Sequence, residues 1–216
     1  MRTQRKLTVL AVACMIAVGG VALRAMALSY PLTSTSIRNA YFIGNRNDEQ
    51  TADFLAKYVH PLPMPETGPY VEDIGIETPF SEVVQLTKTK ANFYAPDAVQ
   101  EFQHRRFTFR VFVDIALTDT YQPIGPTEAP QDWQWVPDFW NDFKVKLVQD
   151  NKEIPADQVR GGPVYPLGYE DVPLVQGAHI EVLYDPAKLH SALAQIVVLA
   201  PTGQSFESTF NLGELR

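Results

Sequence analysis

Residues 107–118 read FTFRVFVDIALT: Phe107, Phe109, Val111, Val113, Ile115 and Leu117 alternate with Thr108, Arg110, Phe112, Asp114, Ala116 and Thr118. Successive side chains of an extended strand point to opposite faces, so a period of two sustained this long describes a strand with one apolar face and one mixed face. The chain is therefore read as mainly β, and the rest is placed relative to this strand.

Downstream, Phe143, Val145 and Leu147 alternate with Lys144 and Lys146, and Asp150-Asn151 marks the turn that follows. Ile180, Val182 and Tyr184 form the next alternating set. IVVLA and SFESTFNL flank Pro201-Thr202-Gly203-Gln204, which predicts a terminal hairpin over residues 195–212. The Arg-Gly-Gly at 160–162 reads as a turn.

Upstream, Val71 to Glu77 is a strand candidate. Thr78-Pro79-Phe80 interrupts it, and SEVVQLT at 81–87 supplies another strand through Val83, Val84 and Leu86. IRNAYFIG at 37–44 reads as a short strand ending at Gly44. Asn47 and Gln50 resemble a capping box, and Ala52, Leu55, Tyr58 and Val59 follow at helical spacing, which predicts a helix from Asp48 to Val59. Pro61, Pro63, Pro65 and Pro69 make the next stretch an extended connector. A second short helix starts at Pro96, with Val99 and Phe102 as its apolar pair. Roughly seven to nine strands between Pro- and Gly-rich turns predict an antiparallel β-sandwich with one N-terminal helix and a second short one.

The first 27 residues carry an address. Arg2, Arg5 and Lys6 precede an uncharged run from Leu7 to Leu23, and Ala25-Met26-Ala27 has the small-x-small pattern of a cleavage site. The 17-residue run lies between the usual lengths of a secretory core and a membrane span, so residues 1–27 read as a signal peptide or an N-terminal membrane anchor. Lipid attachment at Cys14 is a third form of the same address. Basic residues stay on the cytoplasmic side, so each version places the body outside the cytoplasm: periplasmic, secreted or anchored. Residues 28–36 read as a tether, and 37–216 as a single β-sandwich domain with an elaborated N-terminal part.

The sole cysteine lies in the leader, so the body has no disulfide, thiolate metal site or cysteine nucleophile. Four of the 18 basic residues, Arg2, Arg5, Lys6 and Arg24, also belong to the leader. The rest carries 14 basic against 25 acidic residues, a balance of −11. An acidic body does not suit nucleic acid or anionic lipid, which need a basic face.

His60, His104, His179 and His190 are scattered singly, with no HExxH and no i, i+4 pair, and read as surface or structural residues. There is no GxSxG elbow, no phosphate-loop glycine spacing and no calcium-loop pattern, and no cofactor is implied. Asp48 and Glu49 suit a helix N-terminus, and Glu170 and Asp171 a solvated turn. The unusual local composition is QDWQWVPDFWNDF at 131–143, which holds all three tryptophans with Asp132, Asp138 and Asp142. Aromatic planes beside carboxylates suit a sugar or a protein partner, so Trp133, Trp135, Asp138, Trp140 and Asp142 are the candidate binding residues. The alternative is that the indoles anchor a long loop to the core.

The closing segment 179–212, HIEVLYDPAKLHSALAQIVVLAPTGQSFESTFNL, resembles the last strands of immunoglobulin-like sandwiches on exported bacterial proteins. YFIGNRNDEQTADFLAKY and WNDFKVKLVQD are similar to segments of uncharacterised exported proteins of that kind. The resemblance implies an immunoglobulin-like fold and carries no activity with it. The resulting expectation is a non-enzymatic exported protein that binds or organises another cell-envelope component, an envelope protein or a glycan, and meets the membrane only through an uncleaved N-terminus. The alternatives are a secreted hydrolase acting on glycan or peptide through carboxylates, and a purely structural envelope subunit.

Overall fold

A computed structural model describes residues 30–65, 69–117, 138–165 and 175–216. These residues form nine strands, all antiparallel, in two sheets, together with four helices, so the fold is mixed but mainly β. The strands are β1 Val59–Pro61, β2 Pro69–Glu77, β3 Phe109–Leu117, β4 Lys144–Gln149, β5 Lys152–Ile154, β6 Gln158–Val164, β7 Gly177–Tyr184, β8 Leu193–Leu199 and β9 Ser205–Asn211. One sheet runs β1-β2-β3-β7-β6 and the other β5-β4-β8-β9.

Strand β3 is the centre of the larger sheet. Phe109, Val111, Val113 and Ile115 are buried, and Arg110, Phe112, Asp114 and Ala116 take the opposite, half-exposed face. Phe107 lies before the strand and is buried in a different cluster, with Phe80, Val83, Val84 and Phe102. In the smaller sheet, β4 and β5 join through Asp150 and Asn151, both at positive φ, as a tight hairpin turn requires. The hairpin expected near the end is formed by β8 and β9, with Gly203 at φ 85° in its turn.

Two expected strands are helices. Residues 37–44 belong to α1, Ser34–Arg46, which buries Ile37, Ala40, Tyr41 and Gly44 at helical i, i+3, i+4, i+7 spacing. Its N-cap is Thr33, whose side chain accepts from the Ser36 N–H, so the Ser/Thr run that read as tether becomes the cap and first turn of α1. Residues 81–87 belong to α3, Pro79–Thr89. Thr78 and Ser81 cap its start reciprocally, and Pro79 occupies the first turn, where its missing N–H costs nothing. The proline that looked like an interruption is thus a helix start.

Helix α2 spans Glu49–Ala56 and α4 spans Ala95–Phe102. The cap of α2 is Asp48 rather than Asn47, its carboxylate accepting from the Thr51 N–H, whereas Asn47 turns the chain out of α1 in the left-handed region. The Arg-Gly-Gly at 160–162 is also a correction. It lies within β6, because β7 alongside offers a full row of backbone partners.

The inner faces of both sheets contribute to one hydrophobic cluster, from Ile74, Val113 and Ile180 to Leu147, Ile196 and Phe210. The helices enclose a second cluster around Ile37, Tyr41, Phe80, Val84 and Phe102. Among the described residues no helix is long and apolar enough to cross a membrane. The leader, residues 1–27, lies outside them.

Candidate functional site

Trp133 and Trp135 lie outside the described residues, as do Asp132, Glu170 and Asp171. Asp138 and Asp142 are exposed at either end of a short 3-10 turn over Phe139–Asp142. Trp140 is half-buried against the main core, and its ring lies so close over Gly161 of β6 that a Cβ there would sit 2.4 Å from it. Its indole Nε1 is buried with no hydrogen-bond partner among the described residues. The position of this indole ties the 3-10 turn to the edge strand.

A different group of residues is brought together by the strand register. On the outer face of the five-stranded sheet, Asp73 of β2 lies opposite Asp114 of β3, which lies opposite His179 of β7. The neighbouring row is Gly75, Phe112, Glu181 and Arg160, and the one beyond it pairs Glu77 with Arg110. These positions follow from the β3 alternation: with Phe109, Val111 and Val113 committed inward, Arg110, Phe112 and Asp114 must point out.

In the first row the His179 Nδ1 stands 2.5 Å from the Asp114 carboxylate, with the two side chains 47% and 38% exposed. This hydrogen bond, then the charges of Asp114, Glu181 and Asp73, raises the His179 pKa against the opposing effect of burial. Asp73 is pushed up to about 6. Burial is the main cause, followed by the charges of Asp114 and Glu72 and a hydrogen bond with Asp114 that favours the protonated acid. One Asp73 oxygen, Oδ1, is buried and unpaired among the described residues. The two ends of the row, Asp73 on β2 and His179 on β7, are therefore both shifted toward their protonated forms.

Beside it, the Phe112 ring lies across the backbone of Gly75, where a Cβ would be 1.9 Å from the ring, and faces His179 at 6.4 Å and 26°. The third row is ionic. Arg110 reaches Glu77 at 3.0 Å, Glu82 of α3 at 2.9 Å and Glu181 at 3.5 Å, while Arg105 meets Glu82 at 2.7 Å and Arg160 meets Glu181 at 3.8 Å. Burial pushes Glu77 up to about 7 against the pull of Arg110, with Glu82 and Glu181 adding to the rise.

A folded-state pKa of about 7, above the ordinary 4.5, means that Glu77 contributes stability fully present below pH 4.5 and lost as pH rises through 7. Thermal unfolding of the wild type should accordingly show greater stability at pH 5.5 than at pH 8, with Glu77 supplying about 1–2 kcal/mol of the difference. Glu77→Gln should shrink that difference. An unchanged pH dependence in the variant would exclude Glu77 as its source.

Of the other histidines, His104 is exposed, whereas His60 and His190 have structural surroundings. His60 bonds Ser208 at 2.6 Å through Nδ1 and stacks on Phe210 at 4.1 Å, which clamps the β1 edge of one sheet to the β9 edge of the other. The His190 backbone exchanges two hydrogen bonds with the buried Gln149 side chain. Among the described residues no group of three His, Cys, Asp or Glu side chains is placed to hold a metal ion.

Asp73, Asp114 and His179 were missed as a set because Asp114 and His179 are 65 residues apart and meet only through strand pairing. The legible part of the signal was the outward placement of Asp114 in the 107–118 alternation. Comparison of the chain with protein-family models, with curated proteins and with solved structures yields no match.

Proposed function

We propose that the chain is an exported, non-enzymatic protein, an immunoglobulin-like sandwich that binds or organises another component of the cell envelope. The binding surface is the outer face of the five-stranded sheet. The observation that carries this reading is the pair of cross-strand rows there, Asp73–Asp114–His179 and Phe112–Glu181–Arg160. They offer an aromatic plane, both signs of charge and several hydrogen-bonding groups on rigid strands, the composition that suits a polar protein or glycan partner. Export is supported by the leader pattern, and the sandwich by the single core that draws on both sheets.

A second reading draws on the same residues. A carboxylic acid whose pKa is raised to about 6 beside a second carboxyl group is an arrangement that acid-base hydrolysis uses, so a hydrolase would work through Asp73 and Asp114 rather than through residues 132–142.

The test is a photo-crosslinking side chain placed at Phe112 and, as a control, at Glu207 on the outer face of the other sheet, each in the full chain in its native envelope. Phe112 should yield a discrete adduct that Glu207 does not. Identical adducts from both positions, or none from Phe112, would remove the face from consideration. Turnover of a glycan or peptide that is abolished in Asp114→Asn would support the hydrolase.

A further inference from the structure

We propose that the Asp73–Asp114–His179 row is a proton-operated latch on the β1–β2 edge of the five-stranded sheet, closed while the row holds its protons and loosened when they leave. The inference concerns how the fold responds to pH and holds whatever the face binds.

The geometry places the row where it can act. β2 carries an irregularity between Val71 and Asp73, so Glu72 stands outside the β2–β3 register and Asp73 is the first residue to resume pairing. On its other side Asp73 lies opposite Pro61 in β1, a three-residue edge strand. Proline has no N–H to add to that ladder. The β1 edge is held by the Leu62 N–H donating to the Glu72 carbonyl and the Ile76 N–H donating to the Tyr58 carbonyl, both at 2.8 Å. Asp73 of β2 and Asp114 of β3 are direct cross-strand partners, so a protonated Asp73 has an acceptor across the pair, and Asp114 is in turn hydrogen-bonded to His179 of β7.

Deprotonation turns the same contacts against the edge. Asp73 then faces Asp114 across the strand pair, with Glu72 beside it, and like charges directly opposite are destabilising. The remaining charged groups on this face are Glu77 on β2, Arg110 on β3, His179 and Glu181 on β7, and Arg160 on β6. Both arginines are engaged elsewhere, Arg110 by Glu77, Glu82 and Glu181, and Arg160 by Glu181. From β1, His60 turns to Ser208 and Phe210. His179 is thus the cation that the row itself supplies. Asp73 and His179 are both raised, so each contributes to closure at acid pH and loses that contribution as pH rises, Asp73 through about 6 and His179 above its ordinary 6.5.

The experiment is amide hydrogen exchange on the folded full chain at pH 5 and pH 8, corrected for the intrinsic rate, read at Leu62 and Ile76 and, for reference, on β8 and β9. In the wild type, protection at Leu62 and Ile76 should fall about threefold or more at the higher pH, allowing for solvent screening of a half-exposed group. The reference strands should change less. Asp73→Asn, which keeps the hydrogen-bonding shape without the charge, should clearly shrink the extra fall to the part that His179 supplies, and Glu77→Gln should retain it in full. A uniform change across both sheets, an absent fall, or the same fall in Asp73→Asn would overturn the latch. Carboxyl and imidazole NMR titration of the wild type checks it without any variant: Asp73 and His179 should titrate as a coupled pair, and independent titration at ordinary values would overturn it.

Discussion

Val113→Asp should abolish folding of the sheets. Val113 is fully buried at the middle of β3, opposite Ile74 on one side and Ile180 on the other, and belongs to the cluster shared by both sheets. A carboxylate there meets no donor from those neighbours. The cost of burying an unpaired charge is several kcal/mol even after the group neutralises itself, comparable to the whole stability of an ordinary domain, about 5–15 kcal/mol. The measurement is circular dichroism and soluble yield beside Val113→Ala, which removes bulk without adding charge and should leave a folded, less stable protein. A Val113→Asp protein that melts near the wild type would mean that β3 does not carry the core.

Gly44→Val should take apart the helical layer. A Cβ at Gly44 would sit 2.2 Å from the Val84 carbonyl oxygen and 2.1 Å from the Thr87 hydroxyl, so α1 and α3 touch at a point where only a hydrogen fits. Neither neighbour can yield, since one is helix backbone and the other is held by hydrogen bonds to the Val83 and Val84 carbonyls. Overpacking of this kind costs about 1–3 kcal/mol for one methyl group, and valine adds two more carbons. Loss of near-ultraviolet signal from Tyr41 and its aromatic neighbours, with the sheets retained at low temperature, is the expected result. A stabilised Gly44→Ala variant would overturn it, because the helix-propensity gain of about 1 kcal/mol would then have met no clash.

The same glycine illustrates what was legible and what was not. Six alternations identify β3 without help from any neighbour, and Asp150-Asn151 identify a hairpin because their side chains tolerate positive φ. In α1 the apolar positions 37, 40, 41 and 44 span only two turns, and a window of eight residues admits either period. In α3 the decisive residues were Thr78 and Pro79, a cap and a first-turn proline whose local pattern was available but read as a break. β6 is mostly exposed and carries two glycines and a proline, so its extended form comes from β7 rather than from its own residues. The row on the sheet face belongs to the same class. Each member was visible, but their meeting depends on register between β2, β3 and β7, which no single segment encodes.

The two hydrophobic clusters are bridged by Phe54, 5.2 Å from Tyr58 in one and 5.9 Å from Phe80 in the other, and by the ionic contacts of Arg110 with Glu77 and Glu82. The Arg216 carbonyl joins them again by accepting from the Tyr58 and Thr78 hydroxyls, and this junction governs how the chain tolerates change. Substitutions drawn one from each cluster, away from Phe54 and its partners Tyr58 and Phe80, combine additively, so the rest of the helical layer and of the sheets is free to drift apart in sequence. Epistasis concentrates at Phe54, Glu82 and Arg110, where one altered side chain changes what is permitted on the other side.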